Sequence, residues 1–191
     1  MNPFDTKYSK YALCREMLES AEIVAKYDFA VAAPFATAVQ QTQNILITGE
    51  GSSRIFPAKH FRNQLLTNGI DFNVVIEGAL QASEYNLCDY VVFGVSNSGK
   101  TKELVGLFSK LKEGNHPSFY GITATPGTPV AKLPKSAIIL TCGKEEAVAA
   151  TKSVMEQALF FDSLLSSAFG VPMPSLPEIA EKIGDALSLT I

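Results

Sequence analysis

The stretch that decides the fold lies at residues 90–101 and reads YVVFGVSNSGKT. Its first six residues are mostly apolar and do not alternate with polar ones, which is typical of a strand covered on both faces in a parallel sheet. A turn of Ser, Asn, Gly and Thr follows, and residues 101–113 are helix-like. The stretch therefore predicts a buried strand, a polar turn at its carboxyl end and a helix.

The same alternation of strand and helix extends along the chain. Because strands joined through helices form right-handed parallel crossovers, the fold class is α/β: a three-layer, doubly wound, five-stranded parallel sheet. The link at residues 77–88 is ambiguous. Strands are predicted at 44–48, 72–76, 90–95, 118–123 and 137–141, and helices at 11–25, 34–43, 54–67, 101–113, 128–133, 145–169 and 177–189.

The length of the chain predicts one domain. Its 191 residues are the size of an ordinary domain, and 47% of them are apolar, enough for a substantial core. No linker or internal repeat divides the sequence. We therefore expect a single domain over 1–191, with leading helices at 1–43, an α/β core at 44–169 and a C-terminal segment at 170–191.

The composition argues against several classes of function. The net charge is −3 and no basic cluster is present, so a nucleic-acid partner is not expected. Two histidines and three scattered cysteines offer no metal-ligand spacing, and nothing indicates an organic cofactor. The cysteines are expected to be free thiols in a reducing compartment. With no signal-like N-terminus and only a short apolar stretch at 158–171, we expect a cytoplasmic protein without a membrane partner.

Polar residues collect where the predicted strands end. Residues 49–53 read GEGSS, residues 96–101 read SNSGKT and residues 142–146 read CGKEE. In an open parallel sheet, the carboxyl ends of the strands form the ligand-binding edge. Turns rich in Gly and Ser that lead into a helix offer hydroxyls and free backbone N–H groups, which suit a phosphate. The alternative is that they are ordinary turn and capping residues.

One motif points to a different ligand. Residues 94–101, GVSNSGKT, fit the nucleotide-binding pattern G-x-x-x-x-G-K-[ST] letter for letter. Such an enzyme also needs an acid at the end of an apolar strand to hold Mg²⁺. Glu77 could be offered for that role, but no later predicted strand ends in an acid. We therefore rank the nucleotide interpretation last.

Three segments together resemble the sugar isomerase (SIS) domain family. Residues 49–53 resemble its G-x-G-[ST]-S turn, and residues 96–101 resemble its hallmark S-x-S-G-x-T. Residues 145–152, EEAVAATK, resemble its E-x-x-V-A-S-T-K segment, with Ala150 in place of the serine. The resemblance implies a flavodoxin-like sheet, a sugar phosphate as ligand, and homodimers or homotetramers with sites near subunit boundaries.

The resemblance also implies roles for individual residues. The phosphate would be held by hydroxyls and a helix N-terminus, with Asn97 donating nearby and Ser52 either touching the sugar or shaping the turn. The residues expected to bind the phosphate or the sugar are Gly51, Ser52, Ser53, Ser96, Asn97, Ser98 and Thr101.

The catalytic residues follow less directly. The leading hypothesis is an aldose–ketose isomerase in which Glu145 is the base and His60 of a neighbouring subunit helps to open the ring. Glu145 could instead stabilise the first turn of a helix, and His60 could be a surface or interface residue. His116 is expected to be a solvated loop residue. Because residues 76–88 contain no histidine and residues 54–67 no carboxylate, two alternatives stay open: a non-catalytic phosphosugar-binding module, and a lyase.

Overall fold

The computed structural model describes residues 5–188, and it is an α/β sandwich of three layers. The strands are β1 (Asn44–Gly49), β2 (Asn73–Gly78), β3 (Val91–Val95), β4 (Phe119–Thr123) and β5 (Ser136–Ile139). The helices are α1 (Thr6–Ser9), α2 (Ala12–Ala25), α3 (Ala33–Gln40), α4 (Ser52–Thr67), α5 (Ala79–Ala82), α6 (Lys102–Glu113), α7 (Pro129–Lys132), α8 (Lys152–Phe169) and α9 (Leu176–Ser188), with a 3₁₀ turn at Phe29–Ala32.

The five strands form one sheet in the order β2-β1-β3-β4-β5, and every neighbouring pair is parallel. The chain leaves β1 toward β2 on one side and returns to β3 on the other, so the strand order reverses between β1 and β3. Such a switch point opens a crevice outside the carboxyl ends of the two strands. Gly49 ends β1 in register with Val95, and a Cβ on this glycine would collide with the carbonyl oxygen of Val95.

Helices cover both faces of the sheet. On one face, α3, α4 and α8 bury an aromatic core in which the ring of Phe93 lies 5.7 Å from that of Phe160 and 5.9 Å from that of Phe161. On the other face, α6 is amphipathic because its apolar residues recur at intervals of three and four. Its buried residues are Leu104, Leu107, Phe108 and Leu111.

The α2 helix lies outside this sandwich. It packs against α8 and α9 around a small cluster that includes Val24, Leu159 and Leu176. Because α8 lies between α2 and the sheet, α2 can reach the segment that precedes α8. That contact shapes the functional site described below.

The fold class predicted from the sequence is confirmed, but individual elements differ. The helix α1 and the 3₁₀ turn were not predicted, and β5 ends at Ile139 rather than at residue 141. The predicted helix at 145–169 is wrong in its first turns, because α8 begins only at Lys152 and residues 143–151 form an irregular segment that we call the strap. The ambiguous link at 77–88 contains the single-turn helix α5. The last helix ends at Ser188 in the described residues, and the predicted end at Leu189 lies outside them.

Candidate functional site

A cavity of about 280 Å³ opens at the carboxyl ends of β1 and β3, at the switch point of the sheet. It is bounded by the N-terminal ends of α4 and α6 and by the strap, which contributes Glu145, Ala147, Val148 and Ala150. All the residues predicted to bind phosphate or sugar line it: Gly51, Ser52, Ser53, Ser96, Asn97, Ser98 and Thr101.

The turn after β3 places three hydroxyls close together. The Oγ of Ser96 lies 2.8 Å from the Oγ1 of Thr101 and 3.5 Å from the Oγ of Ser98, and it accepts a hydrogen bond of 3.1 Å from the amide of Gly99. Gly99 has a φ of +64°, and a Cβ there would collide with the side chain of Thr128. Glycine is therefore required at position 99, because the positive φ disfavours other residues and Thr128 leaves no room for a Cβ. The turn thus holds its hydroxyl cluster in place without a ligand.

Two helix N-termini lie at the cavity, those of α4 and α6. The N-cap residues, Thr101 of α6 and Gly51 of α4, make no side-chain capping hydrogen bond. Unsatisfied N–H groups and the helix dipole give such ends a partial positive charge that favours an anion. Ser53 is buried in the first turn of α4.

Glu145 lies in the strap, outside the helix in which it was predicted. Its Oε1 accepts hydrogen bonds from the Thr151 amide at 2.7 Å, the Thr151 hydroxyl at 3.1 Å and the Ser153 amide at 3.2 Å. Its Oε2 accepts one from Asn97 Nδ2 at 3.0 Å and one from the hydroxyl of Ser153. The carboxylate thus caps α8 from a preceding segment and joins the strap to the turn after β3. Taking a proton from a substrate would require it to release at least one of these donors.

His60 is not among the residues that line the cavity. It lies on α4 and faces α8, where its Nε2 is 2.7 Å from Oδ1 of Asp162. The hydrogen bond with Asp162 raises the pKa of His60 above its usual value, against the opposing effect of burial. The structure therefore does not bring His60 and Glu145 of one chain together.

The prediction for His116 is wrong. The residue is buried, its Nε2 lies 2.8 Å from the carbonyl oxygen of Leu87, and its Nδ1 accepts a hydrogen bond from the amide of Ser118. Because Nδ1 accepts, Nε2 carries the proton and donates to Leu87. His116 connects the loop before β3 to the loop before β4, at the edge of the sheet opposite the cavity.

The sequence profile of the SIS domain matches residues 39–167, which is more than half of the chain. The chain belongs to the SIS domain family. No curated protein sequence matches it. The matched region contains all five strands and every residue that lines the cavity.

Solved structures share the fold at low identity. The C-terminal domain of glucosamine-fructose-6-phosphate aminotransferase from Francisella tularensis superposes with a TM-score of 0.68 and 18% identity, over 97% of this chain and 56% of that one. A protein of Silicibacter pomeroyi DSS-3, assigned provisionally as a phosphosugar isomerase, superposes with a TM-score of 0.70 and 22% identity. The match covers 91% of this chain and 54% of that one. The Vibrio vulnificus NanR protein complexed with ManNAc-6P superposes with a TM-score of 0.66 and 17% identity, over 94% of this chain and 67% of that one. This SIS chain spans little more than half the length of the first two.

Glu50 and Val148 are among the cavity residues that received no role from the sequence. Glu50 lines the cavity, and its Oε1 accepts a hydrogen bond of 3.1 Å from the amide of Ala79. Val148 lines it from the strap with its side chain fully exposed. Both lie inside the motifs that carried the resemblance, which was the only signal available. Among the described residues, the cavity lining includes two carboxylates and no Lys, Arg or His.

No helix within residues 5–188 is long and apolar enough to cross a membrane.

Proposed function

We propose that this SIS domain binds a sugar phosphate in the switch-point cavity and interconverts its aldose and ketose forms. The observation that carries the proposal is the cluster of hydroxyls from Ser96, Ser98 and Thr101 beside two uncapped helix N-termini. A dianionic phosphate is favoured by several neutral donors and a positive helix end, because each donor forms a charge-assisted hydrogen bond.

The phosphate would be bound first and would orient the sugar. Ser53, Ser96, Ser98 and Thr101 supply hydroxyls, while the amides of the first turns of α4 and α6 supply N–H donors. Asn97 has a second function, because its side chain already donates to Glu145 and so connects the phosphate turn to the strap. The sugar would then extend toward the strap, where Glu145 and Val148 form the opposite wall.

Isomerisation needs a base that moves a proton between C1 and C2 and an acid that opens the ring. Glu145 is the candidate base, since it is the carboxylate of the strap that faces the cavity. His60 would have to come from a neighbouring subunit. Exposed apolar side chains, Phe56 and Leu66 on α4 and Val148 on the strap, support a proposed homodimer or homotetramer with the site near the boundary.

A second candidate function is a binding module that senses a phosphosugar without converting it. Two observations favour it: both oxygens of Glu145 already accept hydrogen bonds, and the described cavity lining contains no histidine. The likeness to the ManNAc-6P complex of NanR agrees with either function. The single domain over 1–191 and the cytoplasmic compartment stay predictions of the sequence.

The proposal is tested by a thermal-shift screen of hexose, pentose and amino-sugar phosphates, with ATP and Mg²⁺ as the control for the nucleotide interpretation. A ligand at a hundred times its dissociation constant stabilises the fold by about 2.7 kcal/mol. Ser98→Ala should reduce the shift markedly, because it removes one charge-assisted hydrogen bond. Ser109→Ala, on α6 but outside the cavity lining, should retain the full shift.

The sugar phosphate that binds is then incubated in D₂O, and its C1 and C2 protons are followed by NMR. Exchange or interconversion supports an isomerase, and binding without exchange supports the sensing module. Stabilisation by ATP with Mg²⁺ alone would refute a sugar-phosphate site.

A further inference from the structure

The strap forms one wall of the cavity but has no regular secondary structure of its own. Residues 143–151 contain neither helix nor strand, yet four of them line the cavity. The position of that wall must therefore be determined by whatever holds the strap from outside. On the side toward the sheet it is held by Glu145 and the N-terminus of α8.

On the other side the strap is held by a carboxylate from α2. Glu16 is only 5% exposed, and its Oε1 accepts a hydrogen bond from the amide of Glu146. The amide of Ala147 lies 3.4 Å from Oε1 and 3.3 Å from Oε2 of the same carboxylate. A buried carboxylate is destabilised unless donors satisfy it. Among the described residues, those two consecutive amides of the strap are the donors it has.

Two ion pairs flank this contact. Arg15 Nη2 lies 2.9 Å from Glu146 Oε2, and Glu19 pairs with Lys152 at the start of α8. The Arg15–Glu146 pair is exposed on both sides, and such pairs contribute little to stability. Lys152 is buried, but it lies on α8 and not in the strap. Glu16 is therefore the buried side chain of α2 that bonds to the strap itself.

We propose that Glu16 is a positioning residue for the sugar-phosphate site, an inference that rests on the proposed function. Glu16 does not line the cavity. It acts through the strap: by holding the amides of Glu146 and Ala147, it fixes the distance between the strap wall and the phosphate turn. The sugar needs both walls, so its binding depends on Glu16.

The phosphate alone does not depend on Glu16. The turn at residues 96–101 is held by its own hydrogen bonds, between Ser96 and Gly99 and between Ser96 and Thr101. None of these bonds involves α2. Loss of Glu16 should therefore weaken a sugar phosphate and leave inorganic phosphate unchanged, whereas a general loss of structure would weaken both.

The test compares Glu16→Gln with the matched control Glu22→Gln, which makes the same change on the same helix at an exposed pair with Lys26. Glutamine keeps the size of the side chain but replaces one acceptor oxygen with an NH₂ donor and removes the charge. Calorimetry would measure the dissociation constants for inorganic phosphate and for the best-binding sugar phosphate of the screen. Hydrogen exchange would report on the amides of 143–151 and of 96–101.

In Glu16→Gln we expect about tenfold weaker binding of the sugar phosphate, equal to about 1.4 kcal/mol, with unchanged binding of inorganic phosphate. Exchange should accelerate in 143–151 and not in 96–101, and the control should match wild type in every measurement. Unchanged sugar-phosphate affinity in Glu16→Gln overturns the inference, as does an equal loss for both ligands. If wild type binds no sugar phosphate, the proposed function itself fails, and the inference with it.

Discussion

Replacing Glu145 with glutamine should destabilise the protein even though the two side chains have the same shape. The carboxylate accepts five hydrogen bonds, three on Oε1 and two on Oε2. A glutamine can keep its oxygen toward the three donors of Thr151 and Ser153. Its NH₂ then faces Asn97, whose amide must rotate so that Oδ1 accepts, and the Ser153 hydroxyl must reverse to accept as well.

Even when every group finds a partner, the charge that strengthens the five bonds is lost. A hydrogen bond to a charged group contributes about 1.5–3 kcal/mol and one between neutral groups about 0.5–1.5 kcal/mol, so we expect the free energy of unfolding to fall by about 2 kcal/mol. For a chain of this size that lowers the melting temperature by about 4–8 °C. Urea unfolding and a thermal scan without ligand would measure both quantities.

Glu146→Gln is the matched control, because it makes the same change at the adjacent residue. The Glu146 side chain is 72% exposed and its partner is Arg15, so the control should stay within about 0.5 kcal/mol of wild type. Equal stabilities for the Glu145 and Glu146 variants would refute the capping role of Glu145 and, with it, the account of how the strap is held.

The same variant tests catalysis separately from stability. The measurement is made at a temperature where Glu145→Gln is folded and at a sugar-phosphate concentration that saturates it, because a loosened strap should weaken binding. If Glu145 is the base, exchange of the C1 and C2 protons should fall by at least about a hundredfold. Exchange at the wild-type rate would exclude Glu145 as the base.

Three further predictions follow from the described contacts. The pKa of His60 is higher in the folded protein than its unfolded value of 6.5, so its bond to Asp162 stabilises the fold fully below pH 6.5. This stabilisation is lost as the pH rises through the pKa of the folded state. In urea unfolding from about pH 5.5 to about pH 8.5, the free energy of unfolding should decline in wild type and not in His60→Gln. Gly99→Ala should abolish sugar-phosphate binding and should destabilise the fold more than Gly127→Ala. Both glycines have positive φ, but a Cβ at Gly99 collides with Thr128, whereas one at Gly127 meets no atom closer than 4.0 Å. Equal losses in the free energy of urea unfolding would contradict the collision with Thr128. Burial raises the pKa of the Cys142 thiol, so little of the reactive thiolate forms at pH 8. A thiol reagent at that pH should modify the exposed Cys88 and spare Cys142, and peptide mapping would show which cysteine has reacted.

The sequence determined the sheet and the phosphate turn because both depend on short-range patterns. Apolar runs of strand length have only one satisfactory environment when helices separate them, namely a parallel sheet covered on both faces. Its carboxyl edge then follows from chain direction, so the turns at 49–53 and 96–101 had to meet there. The glycines and hydroxyls of those turns could be located without coordinates.

Tertiary structure decided the strap, because its conformation depends on partners far away in sequence. The alanines of 147–150 favour a helix by intrinsic propensity, but the amides of Glu146 and Ala147 bond instead to the carboxylate of Glu16, which lies 130 and 131 residues earlier in the chain. Likewise, His116 is buried because it reaches the carbonyl of Leu87, and His60 is drawn to Asp162 across two helices. Hydrogen bonds between distant segments produce no periodic pattern in a sequence. The strap wall of the cavity and the surroundings of both histidines could therefore be determined only from the three-dimensional structure.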